Sequence, residues 1–425
     1  MNILDKLVNY EKTPGGLSPR AMGLERVIEL SRRFNDPWRD YPTLHIAGTK
    51  GKGSTCSFAA AMLAAAGYRT GLYLSPHVLD VRERIQINGQ WVSETRFNAA
   101  LDELAPVLEA IIADKTQRRP SYFEAITHAA FRIFQMENVD VAVIETGLGG
   151  RLDATNIILP KACAITPISY DHQSVLGYTI PEIAFEKAGI IKPGVPLVIG
   201  RQPDEAYAVI RSTAESKRAP ITDFAAAERA LPTVIADALP KNFAGAHQRD
   251  NLAVAWSLVC AAGYNLPPET AAEGVRSVDL PARCQIIQPK PQFGAGKWLV
   301  DGAHNLISAT ALADTLKTQF NQSRPLVFVI GCASNKTMTD IMRPLADLLP
   351  DTVILTQYPS DRSASVETLL DAWRQVSSIK PELIQDCDSA FETGAALISG
   401  KPSGLLCVTG SLYLAGDFIR WTQQA

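Results

Sequence analysis

A cluster of glycines surrounds Lys52 in the stretch HIAGTKGKGSTC. Gly48, Gly51 and Gly53 would let the backbone approach a ligand closely, and a helix that starts near Ser54 would direct its N–H groups at an anion. The spacing departs from the common G-x-x-x-x-G-K-[ST] pattern, because Gly53 separates the lysine from the hydroxyl residue. The stretch predicts a phosphate-binding loop, and the alternative is a tight strand-to-helix turn with a solvated lysine.

Acidic and imidazole side chains follow two further strand candidates. Glu145 lies near the end of VDVAVIETG, and Asp171 and His172 follow KACAITPIS. Because parallel strands present their carboxyl ends at one edge of a sheet, we expect these side chains to meet the lysine-containing loop. A carboxylate at that edge could hold Mg²⁺ against phosphates. The alternatives are a solvated strand-end acid for Glu145 and a structural histidine for His172.

The segment TIPEIAFEKAGI predicts a short helix with a lysine in its last turn. Thr179 and Glu182 form a capping box, Pro181 lies in the first turn, and Gly189 ends the helix. On this pattern alone, Lys187 complements the negative end of the helix dipole.

These residues need elements that position them, and the chain supplies two series of alternating strands and helices. The first contains YPTLHIAG, RTGLYLS, VDVAVIETG and KACAITPIS, with a helix predicted from Ser54 to Ala66. The second restarts after about residue 290 with KWLVDGAHN, PLVFVIGC, DTVILTQ and GLLCVTGS. Apolar strands that alternate with helices predict an α/β fold with one parallel sheet per domain. The Pro- and Gly-rich QIIQPKPQFGAGK separates the series, so we predict domains at 1–285 and 286–425.

Composition excludes several classes of protein. Of the 425 residues 46% are apolar and 20% charged, and the net charge of -3 gives no reason to expect a nucleic acid or an anionic membrane as partner. No apolar run resembles a signal peptide or a membrane span. The seven scattered cysteines predict buried thiols in a reducing cytoplasm rather than a zinc site or disulfides.

Seven motifs together resemble one enzyme family. GTKGKGST, SPHVLDVRERIQING, ETGLGGRLDATN, DHQSVLGYTIPEIAFEKAGI, HQRDN, DGAHN and VTGSLYLAG occur in the order found in folylpolyglutamate synthases and bifunctional dihydrofolate synthases, which belong to the Mur ligase superfamily. The resemblance runs from about residue 17 to the C-terminus. It implies an N-terminal P-loop ATPase domain with a parallel sheet and a smaller C-terminal Rossmann-like α/β domain. It also identifies the unusual glycine spacing as the family form of the phosphate loop.

The resemblance implies an ATP-dependent ligase that forms an acyl phosphate on a substrate carboxylate, which the amine of L-glutamate then attacks. The residues that it assigns to ATP are Gly51, Lys52, Gly53, Ser54, Asn251, Arg283, Asp301 and His304. Those that it assigns to two Mg²⁺ ions are Ser54, Ser75, Glu145, His172 and Lys187. In this family pattern Lys187 reacts with CO₂ to form a carbamate. ATP is expected between domains that open and close in each cycle.

The folate end of the site is assigned to Tyr122 and Phe123 in SYFEAIT and to the run Arg151, Leu152 and Asp153. The aromatic pair could stack on a flat heterocycle or could equally be core residues of an amphipathic helix.

Some positions depart from the family pattern. Lys50 stands where bifunctional bacterial enzymes commonly carry asparagine, an aspartate is missing near Met22, and LPARCQ loses a glycine but keeps its arginine. The pocket segments favour a bifunctional enzyme, whereas the first two departures favour polyglutamylation alone.

Two further alternatives are a Mur-type ligase for a non-folate carboxylate and a non-catalytic nucleotide-binding protein. The second would be expected to lose Glu145, His172 or Lys187, and all three are present. The expected partners are folate or dihydropteroate and L-glutamate, with no nucleic acid and no membrane, and the expected form is a monomer.

Overall fold

Buried strands alternate with helices along the chain in the computed structural model, which describes residues 3–11, 23–114, 116–240 and 246–424. The chain separates into two units. The first runs to Pro240 and resumes at Ala246–Val278, and the second includes the residues from Asp279 onward. The position near Met22 lies outside the described residues.

The first unit is built on a sheet in the order β4-β3-β2-β5-β1-β6-β7-β8. Its strands are β1 (Thr43–Ala47), β2 (Thr70–Tyr73), β3 (Ile85–Ile87), β4 (Gln90–Trp91), β5 (Val141–Glu145), β6 (Ala162–Ile165), β7 (Leu197–Ile199) and β8 (Ile221–Thr222). The six neighbouring strands β2-β5-β1-β6-β7-β8 are parallel to one another. The hairpin β3–β4, which was not predicted, pairs with β2 in antiparallel orientation. Every residue of β1, β5 and β6 is buried, as expected for strands that helices cover on both faces.

Helices of the first unit pack around this sheet. They are α1 (Glu25–Arg32), α2 (Lys52–Ala65), α3 (Glu94–Ala113), α4 (Tyr122–Met136), α5 (Gln173–Leu176), α6 (Ile180–Ala188), α7 (Asp204–Ser216), α8 (Phe224–Ala230), α9 (Thr233–Ala236), α10 (Ala246–Ala261) and α11 (Pro268–Arg276). Helices α10 and α11 pack against α2, and a Cβ on Gly274 would lie 2.3 Å from the carbonyl oxygen of Ala61. Helix α2 starts two residues before the predicted Ser54, so Lys52 itself lies in its first turn.

The second unit has a sheet in the order β13-β12-β11-β14-β10-β9, parallel except for β9. Its strands are β9 (Gln285–Ile287), β10 (Lys297–Val300), β11 (Leu326–Ile330), β12 (Thr352–Gln357), β13 (Glu382–Asp386) and β14 (Leu405–Thr409). Its helices are α12 (Leu306–Gln319), α13 (Met338–Ala346), α14 (Val366–Arg374), α15 (Cys387–Ile398) and α16 (Leu412–Gln423). The predicted boundary after residue 285 falls inside β9, whereas the two units divide between Val278 and Asp279. The observed alternation confirms the α/β class.

The cysteines only partly match the prediction of buried thiols. All seven are free, but Cys260 is exposed and Cys284 is half-buried. The cause is their place in the fold, since Cys260 lies near the end of α10 and Cys284 in the turn before β9. Among the described residues, no helix combines the length and the apolar character needed to cross a membrane.

Candidate active site

The predicted phosphate loop connects the buried strand β1 to α2. Its backbone favours glycine at two positions, with φ of +151° at Gly48 and +82° at Gly51. Space imposes the same requirement, because a Cβ on Gly48 would lie 1.9 Å from Thr166 Oγ1 and one on Gly51 would lie 2.2 Å from Asn251 Oδ1. The loop leads directly into the N-terminus of α2, whose first-turn N–H groups can bind an anion.

Glu145 and Lys52 meet beside this loop. The Glu145 carboxylate, which is only 4% exposed, lies 3.7 Å from the Lys52 ammonium and accepts a hydrogen bond from Ser75 N at 3.0 Å. Gly53 also lies close, since a Cβ there would be 3.8 Å from Glu145 Oε2. The structure thus brings residues at the carboxyl ends of β1, β2 and β5 to one edge of the sheet; the approach of Glu145 to the lysine loop was predicted from the strand pattern, and that of Ser75 only from the family resemblance.

The segment after β6 is tied to the loop by several hydrogen bonds. Thr49 N and Lys50 N donate to Pro167 O at 3.0 and 3.2 Å, and Lys50 Nζ donates to Asp171 Oδ2 at 3.3 Å. His172, which directly precedes α5, has a positive φ of 50° and a side chain that is 54% exposed.

Lys187 lies buried beneath the loop. Its side chain extends from α6, and Nζ donates to Gly48 O at 2.8 Å. Burial lowers the pKa of Lys187 to about 7, and the nearby Lys52 ammonium lowers the pKa in the same direction. The helical pattern alone predicted a partner for the helix dipole, whereas in the structure α6 directs the Lys187 side chain inward against the loop.

Two glycines allow α6 to approach the segment GLGGRLDATN. A Cβ on Gly150 would lie 2.7 Å from Lys187 O, and one on Gly189 would lie 2.4 Å from Arg151 Cα. Arg151 N donates to Glu186 O at 2.7 Å. This close approach fixes the position of Lys187 relative to the predicted folate segment.

The residues predicted to bind folate lie in different surroundings. Asp153 is 3% exposed, and its carboxylate accepts hydrogen bonds from Leu148 N at 2.8 Å and Thr155 N at 3.0 Å. Burial raises the pKa of Asp153, and the hydrogen bonds oppose that rise. Arg151 is exposed and forms an ion pair with Glu186 at 2.8 Å. Leu152, between Arg151 and Asp153, is half-buried.

Tyr122 and Phe123 open α4 and pack against the core of the first unit. The Phe123 ring lies 6.3 Å from that of Tyr73, and a Cβ on Gly147 would be 2.3 Å from it. Gly147 follows β5, so Phe123 lies near the strand end that carries Glu145. Their assignment to folate stays a prediction.

A buried arginine was not singled out from the sequence. Arg84 is 1% exposed, donates to both carboxylate oxygens of Glu11 at 2.9 and 2.6 Å and to His77 Nδ1 at 2.9 Å, and its guanidinium lies 5.8 Å from the Tyr122 ring. The motif SPHVLDVRERIQING contains Arg84 and His77. Its partner Glu11 lies 73 residues earlier in the chain, so the pattern could not reveal the pairing.

Asn251, predicted to contact the nucleotide, is brought to the phosphate loop by α10. It is 4% exposed and donates from Nδ2 to Gln248 Oε1 at 3.0 Å. Its Oδ1 occupies the space that a side chain at Gly51 would need.

Arg283, Asp301 and His304 lie together in the second unit, around the loop after β10. Asp301 accepts hydrogen bonds from Cys284 N and Ala303 N, each at 2.8 Å. Burial raises the pKa of Asp301, against the opposing effect of the Arg283 guanidinium. His304 Nδ1 lies 2.8 Å from Gly302 O. Their role at a nucleotide stays a prediction.

Comparisons with known proteins identify relatives over nearly the whole chain. The family model described as dihydrofolate synthetase, C-terminal domain, matches residues 287–421. Over 419 residues the chain is 33% identical to the dihydrofolate synthase/folylpolyglutamate synthase of Bacillus subtilis (strain 168), and the match covers 93% of this chain and 94% of that relative.

Two solved structures have the same fold. The folylpolyglutamate synthase of Mycobacterium tuberculosis complexed with ADP superposes with a TM-score of 0.87 at 30% identity, over 100% of this chain and 97% of that one. The bifunctional folylpolyglutamate synthase/dihydrofolate synthase of Yersinia pestis, complexed with AMPPNP and a Mn ion, gives a TM-score of 0.79 at 29% identity. The match covers 95% of this chain and 94% of that one.

Proposed function

Because the chain belongs to the dihydrofolate synthase/folylpolyglutamate synthase family, we propose that it uses ATP to join L-glutamate to the γ-carboxylate of a folate, and to the carboxylate of dihydropteroate. The single observation that carries this proposal is the arrangement at the edge of the first sheet. There Glu145 lies 3.7 Å from the Lys52 ammonium and the buried Lys187 donates to Gly48 O at 2.8 Å, so both contact the predicted phosphate loop.

The reaction requires charge neutralisation more than covalent help from the protein. The γ-phosphoryl group of ATP passes to a carboxylate oxygen, and ADP leaves. The neutral amine of glutamate then attacks the acyl carbon, phosphate leaves with that oxygen, and the amine loses a proton. Lys52 and the N–H groups at the start of α2 would hold the phosphates throughout.

The residues present fit Mg²⁺. Ser54, Ser75, Glu145 and His172 would hold it, and it would neutralise charge on the phosphates when bound. No three His, Cys, Asp or Glu side chains group as a metal site within the described part of the chain. Mg²⁺ keeps several water and phosphate ligands and needs only one or two carboxylates, and Glu145 supplies one.

We propose in addition that Lys187 carries a carbamate. The reaction joins the neutral amine to the carbon of CO₂ and releases one proton, so it requires a lysine with a lowered pKa. Burial and the neighbouring Lys52 produce that lowering in the structure. The resulting anion would be stabilised by the same Lys52 ammonium, and it could serve as a ligand for a second Mg²⁺.

Transfer of oxygen tests the acyl-phosphate route. A folate substrate labelled with oxygen-18 in its γ-carboxylate should release labelled phosphate when ATP and glutamate are present. Unlabelled phosphate would show that the carboxylate is not phosphorylated.

A second assay separates the bifunctional enzyme from the alternatives. Dihydropteroate, glutamate and ATP should yield dihydrofolate, and tetrahydrofolate should yield a glutamylated product. If the protein turns over tetrahydrofolate but leaves dihydropteroate unchanged even at a saturating concentration, it is a monofunctional folylpolyglutamate synthase. Turnover of neither substrate would favour a ligase for a non-folate carboxylate.

A further inference from the structure

The phosphate loop and the segment that carries His172 are joined by a network centred on two consecutive residues. Thr49 Oγ1 donates to Ser169 O at 3.2 Å and accepts from Ser169 N at 3.1 Å. Lys50 Nζ donates to Asp171 Oδ2 at 3.3 Å. Together with the backbone bonds to Pro167, these contacts fasten the loop after β1 to the loop after β6.

Asp171 is the part of this network nearest His172. Its side chain is 13% exposed, one oxygen accepts from Lys50 Nζ, and the other accepts from His172 N at 3.1 Å and lies 3.8 Å from His172 Nε2. The carboxylate therefore contacts both the phosphate loop and the backbone of the histidine, which itself has a positive φ. A backbone conformation of this kind persists where its surroundings hold it.

We propose that Lys50 and Asp171 form a positioning pair that holds His172 in place relative to the phosphate loop, so that imidazole, Glu145 and nucleotide phosphates can share one metal ion. This inference rests on the proposed function. In it Lys50 acts through Asp171, and neither residue is a metal ligand.

The charges of the pair reinforce this role. Lys50 Nζ and Asp171 Oδ2 carry opposite charges 3.3 Å apart, and neither side chain is more than a quarter exposed. Without Lys50, the largely buried Asp171 carboxylate would lose its lysine partner, and breaking such a pair from one side is costly. Removal of both charges should therefore harm the site less than removal of Lys50 alone.

Binding of Mn²⁺ in the presence of AMPPNP tests the pair without relying on turnover. Free Mn²⁺ is measured by electron paramagnetic resonance for the full-length wild type, Asp171→Asn, Lys50→Met and the double variant. Substitution of a residue that hydrogen-bonds to a metal ligand typically weakens metal binding by about 10- to 100-fold. We expect a rise of about tenfold in the Mn²⁺ dissociation constant for each single variant, and a double variant no weaker than Lys50→Met.

A second lysine–carboxylate pair supplies the control. Lys6 and Glu109 lie 2.7 Å apart at the surface, so Lys6→Met and Glu109→Gln should leave Mn²⁺ affinity unchanged. Thermal unfolding of every variant shows whether it is folded.

The outcomes separate the two proposals. If the wild type binds Mn²⁺ with AMPPNP but Asp171→Asn binds it equally well, or only melts earlier, the positioning role is overturned and the proposed function stands. Multiplicative losses in the double variant also overturn it, because the two residues would then act independently. If the wild type binds no Mn²⁺ with AMPPNP, both proposals fail.

Discussion

Two buried histidines should make the free energy of unfolding depend strongly on pH. His128 is 0% exposed and its ring centroid lies 4.7 Å from that of Phe34. Burial lowers the pKa of His128 to about 4, and Arg132 contributes in the same direction. His45 is equally buried, its Nε2 lies 2.8 Å from Thr155 Oγ1, and burial lowers its pKa to about 3.

The direction follows from proton linkage. An unfolded histidine has a pKa of about 6.5, so below this pH the unfolded chain binds protons that the folded chain excludes. The stability that each neutral histidine contributes is complete above about pH 6.5 and falls as the pH drops towards about 4 for His128 and about 3 for His45. Between pH 6.5 and pH 5, at about 1.4 kcal/mol per pH unit, the stabilising contribution of each histidine falls by roughly 2 kcal/mol. The combined loss of about 4 kcal/mol is large beside a typical stability of about 5–15 kcal/mol.

Urea unfolding between pH 5 and 8, at constant ionic strength, measures this loss. Neither ring nitrogen of His128 has a hydrogen-bond partner among the described residues, so His128→Leu should be tolerated at pH 8. At pH 5 this variant should lose about 2 kcal/mol less than the wild type. His247 is exposed, so His247→Leu should keep the wild-type pH dependence. If His128→Leu and the wild type show the same dependence, the assignment of the buried neutral imidazole is wrong.

Three further outcomes are expected. Gly48→Ala should lower the free energy of unfolding in urea by at least about 1–3 kcal/mol, because the positive φ and the Thr166 side chain both exclude a Cβ. Adding Thr166→Ala should recover part of that loss. A Gly48→Ala variant as stable as the wild type would contradict the loop geometry. Glu145→Gln should keep the hydrogen bond from Ser75 but lower kcat about 100-fold or more by weakening Mg²⁺ binding, and full kcat would exclude Glu145 as a ligand. Lys187→Ala should lose turnover while still binding ATP, and carbon-13 NMR with labelled bicarbonate should show a carbamate signal only in the wild type; wild-type turnover in this variant would refute the carbamate.

Most strands that are buried on both faces were predictable because burial leaves a continuous apolar run, although the short buried strand β7, LVI, was not predicted. TLHIA, VAVIE and ACAI are examples, and all three form central strands. The edge strands carry no such signal. Strand β4 consists of two exposed residues, and β13, ELIQD, has no fully buried position. Such strands form because a neighbouring strand offers backbone partners, which a local pattern does not record.

Site features that depend on residues close together in the sequence were predictable. Features that depend on which side chains the fold buries were not. The glycine spacing around Lys52 predicted a loop that the structure places between β1 and α2. The surroundings of Lys187 depend on Gly150 and Gly189, which let α6 approach another loop closely enough to bury the amine. Arg84 went unnoticed because the carboxylate that pairs with it belongs to the distant Glu11.

The glycine at position 51 shows why a loop motif is a tertiary property. Its φ of +82° would be strained for most residues, but asparagine or aspartate tolerates such values. The tighter restriction comes from Asn251, 200 residues away, whose Oδ1 lies 2.2 Å from where a Cβ would stand. Since Asn251 is held there by α10 packing on α2, the requirement for glycine exists only once both helices are in place. An Asn251→Ala background should therefore make Gly51→Ala less damaging to stability than it is in the wild type, and equal losses of unfolding free energy in the two backgrounds would show that φ alone imposes the glycine.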